Sequence, residues 1–366
     1  MLSEAAIRSL TDALKDEDAE VVSSAAEALE PAIQSLIGAL NHGLEVRMTA
    51  QWALRKQSPL SEAAIQSLIG ALKDGDANVS KRAGMALGNL TIIPEFAIQS
   101  LIGALSHENA GVRYSAVSVL RKQSSLSEAA IQSLSSALNY DKADSRSRAA
   151  QALGTQSALP RTAIQSLIGA LMDEDANVRY SAALALGNQS TLSEAAIQPL
   201  ICALRDVQPF IRSRAASALG NHSTLSEQAI HSLTGALADE NAEVRSRAAS
   251  ALGKQSTLSD AAIQSLIGAL KDEDAGVRCS SASALGEQST LSESAIQLLI
   301  GALKDENAEV RSRAASTLGS QSTLAEAAIK PLLDALKDEN TEVRIVLELQ
   351  FNALCMALPN LPYTAL

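Results

Sequence analysis

The chain has 366 residues, with 30 basic and 41 acidic side chains and a formal charge of −11. That balance argues against duplex nucleic acid as the main partner, because phosphate binding needs a net basic face. No apolar run reaches the ~18 residues of a membrane span, no basic-plus-apolar leader follows Met1, and an aromatic share of 2% suits thin Leu/Ile/Ala layers better than an enzyme core.

The first predicted element begins at Leu2 with no polar residue capping it. Its isoleucine, Ile7, is the first of a series that continues at Ile33, Ile65, Ile98, Ile131, Ile164, Ile197, Ile230, Ile263, Ile296 and Ile329. From Ile98 on the step is constant, 131 − 98 = 33, and a fixed period in this range marks a stacked repeat array. The second helix of the first repeat runs into Glu30-Pro31, so the step to Ile33 is only 33 − 7 = 26 and the first two repeats join abruptly. The second repeat is one residue short in its internal turn, at Asn41-His42-Gly43-Leu44.

Farther along, residues 225–257 give the clearest copy. Ser226 is a candidate N-cap with Glu227 in the first turn, and Ile230, Leu233 and Leu237 form a helical stripe. A turn at Ala238-Asp239-Glu240 leads to Asn241, a candidate cap for a second helix whose apolar face is Val244, Ala248, Ala251 and Leu252. Gly253 then stands where a left-handed residue ends a helix, and Gln255-Ser256-Thr257 reads as a polar link. Pro209 falls one residue after the cap position of its own repeat, where its missing N–H costs nothing. Pro199 and Pro331 sit deeper, and the expectation is that their helices truly begin there. Gly38, Gly70, Gly103, Gly169, Gly235, Gly268 and Gly301 lie opposite the leucine stripe of the first helix, where close approach of a neighbouring repeat is expected.

A single hairpin buries too little apolar surface alone, so stability must come from its neighbours. Residues 1–342 read as an all-α solenoid, a superhelical array of about eleven hairpins on the order of 100 Å long at roughly 10 Å per layer. Residues 343–366 depart from the pattern as an apolar C-terminal helix and tail. Ile345, Val346, Leu349, Phe351, Leu354, Cys355 and Met356 replace the usual Ser and Arg, so this helix needs cover. Three outcomes are open: the tail at 359–363 wraps it, it is a self-association or docking face, or the chain is a fragment.

The segment ALADENAEVRSRAASALG resembles the HEAT-like repeat of the phycobilisome-lyase type, in which an acidic turn precedes Val-Arg and an Ala-rich second helix ends in Leu-Gly. The resemblance covers almost the whole chain. It implies an armadillo-like helical solenoid without fixing an activity, since such repeats occur in lyase subunits, chaperones, sensors and scaffolds. The same resemblance implies a structural ladder for the arginine after valine, at Arg47, Arg113, Arg146, Arg179, Arg212, Arg245, Arg278, Arg311 and Arg344. On a helical wheel this arginine edges the apolar stripe, within reach of turn acids such as Asp173, Asp206, Asp239, Asp272, Asp305 and Asp338.

Candidate binding residues come from the second helix. The offsets equivalent to Glu243, Ser246, Arg247, Ser250 and Lys254 form one stripe opposite the core. In solenoids of this class the second helices usually line the concave side. Most copies carry Ser, Arg or Glu in the stripe, but Met48, Trp52, Met85, Tyr114, Tyr180, Leu184 and Phe210 occupy it in the N-terminal and central repeats. Trp, Tyr and Met on a surface stripe have the composition of an interface core; the alternative is that the shortened second repeat buries Trp52. Arg148, Arg214, Arg247 and Arg313, two residues after the ladder arginine, are candidates to read acidic groups. Asp144–Arg148, Glu243–Arg247 and Glu309–Arg313 also form favourable i,i+4 pairs.

Chemistry is poorly supplied. His42, His107, His222 and His231 lie in separate repeats with no cysteine at ligand spacing, so no metal, cofactor or catalytic residue is expected. His107-Glu108 stands alone, against the several His-Glu pairs of deoxyhypusine hydroxylase. Cys202, Cys279 and Cys355 occupy different repeats, which fits a reducing cytosol, and Cys279 lacks a nearby base. The expectation is a non-enzymatic, cytoplasmic protein-binding scaffold or sensor array using the concave stripe, in the manner of the receptor end of a NACHT-type signalling protein. The alternatives are a bilin lyase or lyase-like subunit and nucleic-acid binding along the arginine stripe.

Overall fold

A computed structural model describes residues 60–357, apart from 74–76, 91, 191, 223, 289–290 and 322–325. Met48, Trp52, Arg47, the joint between the first two repeats and the tail beyond 357 lie outside the described residues. The chain divides into two compact units, Met1–Gln189 and Ser190–Leu366. The first contains α1 (Glu62–Leu72), α2 (Ala77–Leu87), α3 (Glu95–Ala104), α4 (Ala110–Leu120), α5 (Glu128–Ala137), α6 (Ala143–Leu153), α7 (Arg161–Ala170) and α8 (Ala176–Gly187). The second contains α9 (Glu194–Ala203), α10 (Pro209–Gly220), α11 (Glu227–Ala236), α12 (Ala242–Gly253), α13 (Asp260–Ala269), α14 (Ala275–Gly286), α15 (Glu293–Ala302), α16 (Ala308–Gly319), α17 (Glu326–Ala335) and α18 (Thr341–Ala357). All the regular elements among the described residues are helices, paired as hairpins: an all-α solenoid.

The hairpin is built as its apolar spacing requires. In the 225–257 copy Leu233, Val244, Ala248 and Leu252 are fully buried, and Leu237 closes the layer. Asn241 caps α12, accepting from the N–H groups of Glu243 at 3.1 Å and Val244 at 3.3 Å. Pro209 opens α10 at its first turn. Ser226 does hold the position before α11, but its hydroxyl donates to Glu194 at 3.1 Å and leaves the first-turn amides alone; Ser61, Ser127, Ser259 and Ser292 do cap their helices.

Three expectations are corrected. First, α9 begins at Glu194 and carries Pro199 inside it, and α17 likewise carries Pro331. The carbonyl that loses its partner to Pro199 belongs to Ala195, which is exposed, so water can replace the bond. Second, the first-helix glycines are not contact points: a Cβ added at Gly70, Gly103, Gly169, Gly235, Gly268 or Gly301 meets nothing within 4 Å. Third, Gly253 does not take a left-handed conformation. It is the last residue of α12, and Lys254 after it is still right-handed at φ −76°. What requires glycine is proximity, because a Cβ there would lie 2.7 Å from the Cα of Ala284 on α14. Gly154 against Ala185 and Gly220 against Ala251 repeat the arrangement.

Small residues thus let successive second helices approach backbone to backbone, and within each unit these helices pack more closely on one another than the first helices do. Where Arg121 replaces the glycine, α4 and α6 are more loosely packed than α6 and α8. The grooves on the second-helix face lie between α2 and α4 and between α6 and α8.

Candidate functional site

The most regular polar feature is structural. Arg146 donates from Nε and Nη2 to the Asp173 carboxylate of the next repeat, at 2.7 and 2.8 Å, and from Nη1 to the carbonyls of Tyr140 and Asp141 in its own turn. Arg212–Asp239, Arg245–Asp272, Arg278–Asp305 and Arg311–Asp338 repeat this bidentate fork at 2.7–2.9 Å. Arg113 has Tyr140 at the position of the turn acid and instead donates a single bond from Nε to Asp144 on α6, and Arg344 binds its own turn carbonyls at 2.6 and 3.0 Å. The forked arginines are buried. Burial alone would raise the carboxyls of Asp173, Asp239, Asp272 and Asp305, but the arginine bonds and charge outweigh it and hold them below the ordinary value. The geometry fixes the register of each turn on the next.

A second ladder escaped the sequence reading. Gln255, taken there as part of a polar link, is buried, and so is Gln156 in its own repeat. Gln255 accepts from the N–H of Leu225 at 3.1 Å and donates to the carbonyl of His222 at 2.9 Å; Gln156 does the same to Leu126 and Gln123, and Gln189 to Leu159 and Gln156. The signal was the recurrence of glutamine at 123, 156, 189, 255, 288 and 321, broken only by His222 within that series. At the same position His222 is buried, and its Nε2 has no hydrogen-bond partner among the described residues.

With core and ladders committed, the second-helix stripe is an exposed face left to a partner. In the first unit it carries Met85 on α2, Tyr114 on α4, Arg148 on α6, and Tyr180 with Leu184 on α8. Tyr114 is 59% exposed and Met85 41%; Tyr180 and Leu184 are half-buried. The stripe brings several of them together. Met85 and Tyr114 line one groove of about 180 Å³ with Lys81, Ser115, Ser118 and Lys122. Tyr180 and Leu184 line another of about 310 Å³ with Arg121, Gln151, Thr155 and Asn188. Arg148 is held over the Tyr114 ring, 5.5 Å from its centroid, and paired to Asp144 at 2.9 Å. The sequence reading passed over Lys81, Arg121 and Lys122, although Lys122 stands at the same offset as Lys254.

In the second unit the stripe is plainer. Phe210 is 43% exposed, Arg214 is half-buried, and Arg313 is exposed. Arg247 is exposed and pairs with Glu243 of its own helix at 2.8 Å. Cys279 is half-buried, and burial, aided by Glu309, pushes its thiol above the ordinary range, away from nucleophilic reactivity. Among the described residues no group of His, Cys, Asp and Glu has the arrangement of a metal site, and no helix is long and apolar enough to cross a membrane. On α18, Val343 and Leu347 are buried while Ile345 and Leu349 are 49% and 64% exposed.

The hairpins, their period and their shared core define an α-solenoid protein. A family model for HEAT repeats matches residues 65–154, 136–220, 198–286, 230–318 and 263–350, and the chain belongs to the HEAT-repeat family. That match does not single out the phycobilisome-lyase type. Among solved structures the chain is similar to Kap95p in a structure with RanGDP (12% identity, TM-score 0.65, covering 99% of this chain and 56% of that one). It is similar also to a Kap121p mutant (15%, 0.66, 98% and 46%) and to Kap95 in a complex with Nup1 (12%, 0.60, 98% and 56%). The chain therefore spans about half the length of these karyopherins, and at such identities the likeness is one of fold. No curated protein matches the sequence significantly.

Proposed function

We propose that the chain is a non-enzymatic scaffold that binds protein partners on its second-helix face, in the cytosol. The observation that carries this reading is the pair of grooves on the second-helix face: each places tyrosine beside Met85 or Leu184, the composition of an interface core. Met85, Tyr114, Tyr180 and Leu184 act as apolar anchors, with Met48 and Trp52 continuing the stripe by sequence offset. Arg148, Arg214, Arg247 and Arg313 read acidic groups. The solved HEAT neighbours seen with RanGDP and Nup1 support a fold suited to holding proteins. Residues 1–342 form the array and 343–366 its end, where Ile345 and Leu349 make a face for self-association.

The test is affinity capture from native lysate with the intact chain beside a Met85→Ser, Tyr114→Ser variant, both checked by circular dichroism and by an absorption scan. Partners retained by the parent and lost by the variant support the reading. Equal capture by both removes the stripe as the site, and a bound chromophore would replace the scaffold reading with a lyase-like one.

A further inference from the structure

In a chain with 41 acidic and 30 basic side chains, the second-helix face of the first unit is basic. Its stripe holds Lys81, Arg82, Lys122 and Arg148 against one carboxylate, Asp144, which is taken up by Arg113 and Arg148. Arg121, in place of the packing glycine, adds another exposed cation. None of Lys81, Arg121 and Lys122 is paired with a carboxylate among the described residues. No acidic side chain lines either groove. The unit's other described acids stand elsewhere: Glu62, Glu95 and Glu128 at the starts of first helices, Glu108, Asp141, Asp173, Glu174 and Asp175 in turns.

The second unit differs. Its stripe balances Arg214, Arg247, Lys254 and Arg313 with Glu243, Glu287, Glu309 and Glu342, and its groove of about 560 Å³ between α12 and α14 contains both Lys254 and Glu287 and no aromatic residue. Apolar anchoring and unmatched positive charge therefore coincide in the first unit.

We propose that this face binds an acidic, extended segment of a partner protein, with one apolar side chain of that segment in each groove. The proposal rests on the scaffold reading and names the partner's chemistry. The groove between α2 and α4 and that between α6 and α8 are two repeats apart, about 20 Å at ~10 Å per helix layer. At ~3.3 Å per residue an extended chain places its anchors about six residues apart, with Asp or Glu between them facing Lys122 and Arg121. A phosphate polymer fits less well. It requires a continuous basic track, whereas here the cations flank tyrosine, methionine and leucine on a chain of net charge −11.

The experiment is fluorescence anisotropy on the full chain with a dye-labelled peptide of about twelve residues, two leucines six apart in an Asp/Glu-rich frame. A Lys-rich counterpart, a version with adjacent leucines and a single-stranded RNA of the same length are titrated beside it. The acidic peptide is expected to bind at least ~10-fold tighter than the other three, with affinity falling as salt rises. Lys81→Glu with Lys122→Glu, both exposed and so compatible with folding, is expected to weaken it at least ~10-fold, and Lys271→Glu, exposed in a turn of the second unit away from the stripe, to leave it unchanged. Equal binding of the Lys-rich peptide, indifference to the charge reversal, or tighter binding of RNA would each overturn the proposal. If the peptide fails while lysate capture still depends on Met85 and Tyr114, the scaffold reading stands and the acidic assignment falls.

Discussion

Replacing Gly253 by alanine separates two accounts of why a glycine ends each second helix. In the structure Gly253 is helical, and an added Cβ would lie 2.7 Å from the Cα and 2.8 Å from the Cβ of Ala284. Neither atom is the end of a flexible side chain, so α12 and α14 must separate. Overpacking of this kind costs about 1–3 kcal/mol. The helix-propensity gain of alanine over glycine, about 1 kcal/mol, offsets part of that and leaves a net loss of up to about 2 kcal/mol. Gly268→Ala is the internal control. Gly268 is exposed on α13 and an added Cβ meets nothing within 4 Å, so the propensity term stands alone and the variant should be more stable by about 0.5–1 kcal/mol. The decisive variant is Gly253→Asn. A left-handed cap tolerates asparagine better than alanine, whereas close approach tolerates it less because the side chain is larger. Thermal unfolding of the full chain, with hydrogen exchange locating the change in α12 and α14, reads all three. Gly253→Asn more stable than Gly253→Ala would refute the proximity argument.

Arg245→Met should cost about 3–5 kcal/mol by leaving Asp272 buried without its fork, and Arg245→Lys should recover little of it because one ammonium cannot make two parallel bonds; chemical denaturation checks both. The ladder carboxyls titrate below their unfolded value of 3.8, so they stabilise fully above that pH. The unfolded chain takes up protons first as pH falls, and stability should drain through the folded values in an acid titration followed by circular dichroism. Burial lowers His222 from its ordinary 6.5, so its contribution is complete above 6.5 and shrinks as pH falls toward the folded value; His222→Gln should abolish that part of the pH dependence. Pro199→Ala should raise the melting temperature by restoring a helical N–H, and a lower one would mean that the ring is needed for packing.

The hairpin, its period and the arginine ladder were legible because each is written as a spacing: isoleucine every 33 residues, leucine and alanine at helical intervals, arginine beside the apolar stripe. The cap assignment of Gly253 failed for a physical reason, whereas the first-helix glycines have neither a close neighbour nor a left-handed backbone. At a helix end glycine marks either conformational freedom or proximity, and a single sequence does not distinguish them; only the distance from Gly253 to Ala284 does. The glutamine ladder was hidden by residue type, since a Gln-Ser-Thr run reads as solvated link until its backbone partners thirty residues away are seen. Lys81, Arg121 and Lys122 were passed over because surface cations are common, and they gain meaning only from the lack of carboxylates around the same grooves.

The ladders also bear on where a recognition function can reside. In each repeat the leucine and alanine layer, the forked arginine with its aspartate, and the buried glutamine are tied to a neighbour, so a change at any of them perturbs two repeats at once. The stripe positions are tied more lightly, by contacts such as Ser246 with Ser280 at 2.9 Å and Arg148 over the Tyr114 ring, none of which reaches into the core. Tyr114 and Met85 can replace the Ser and Arg of other copies with no demand on the core, because more than two-fifths of each side chain's surface lies in solvent. Chemical variety in an otherwise repetitive chain therefore collects where it is structurally neutral. In the first unit that variety is aromatic, apolar and cationic together, a combination stability does not require. A partner that contributes apolar side chains and negative charge would account for all three.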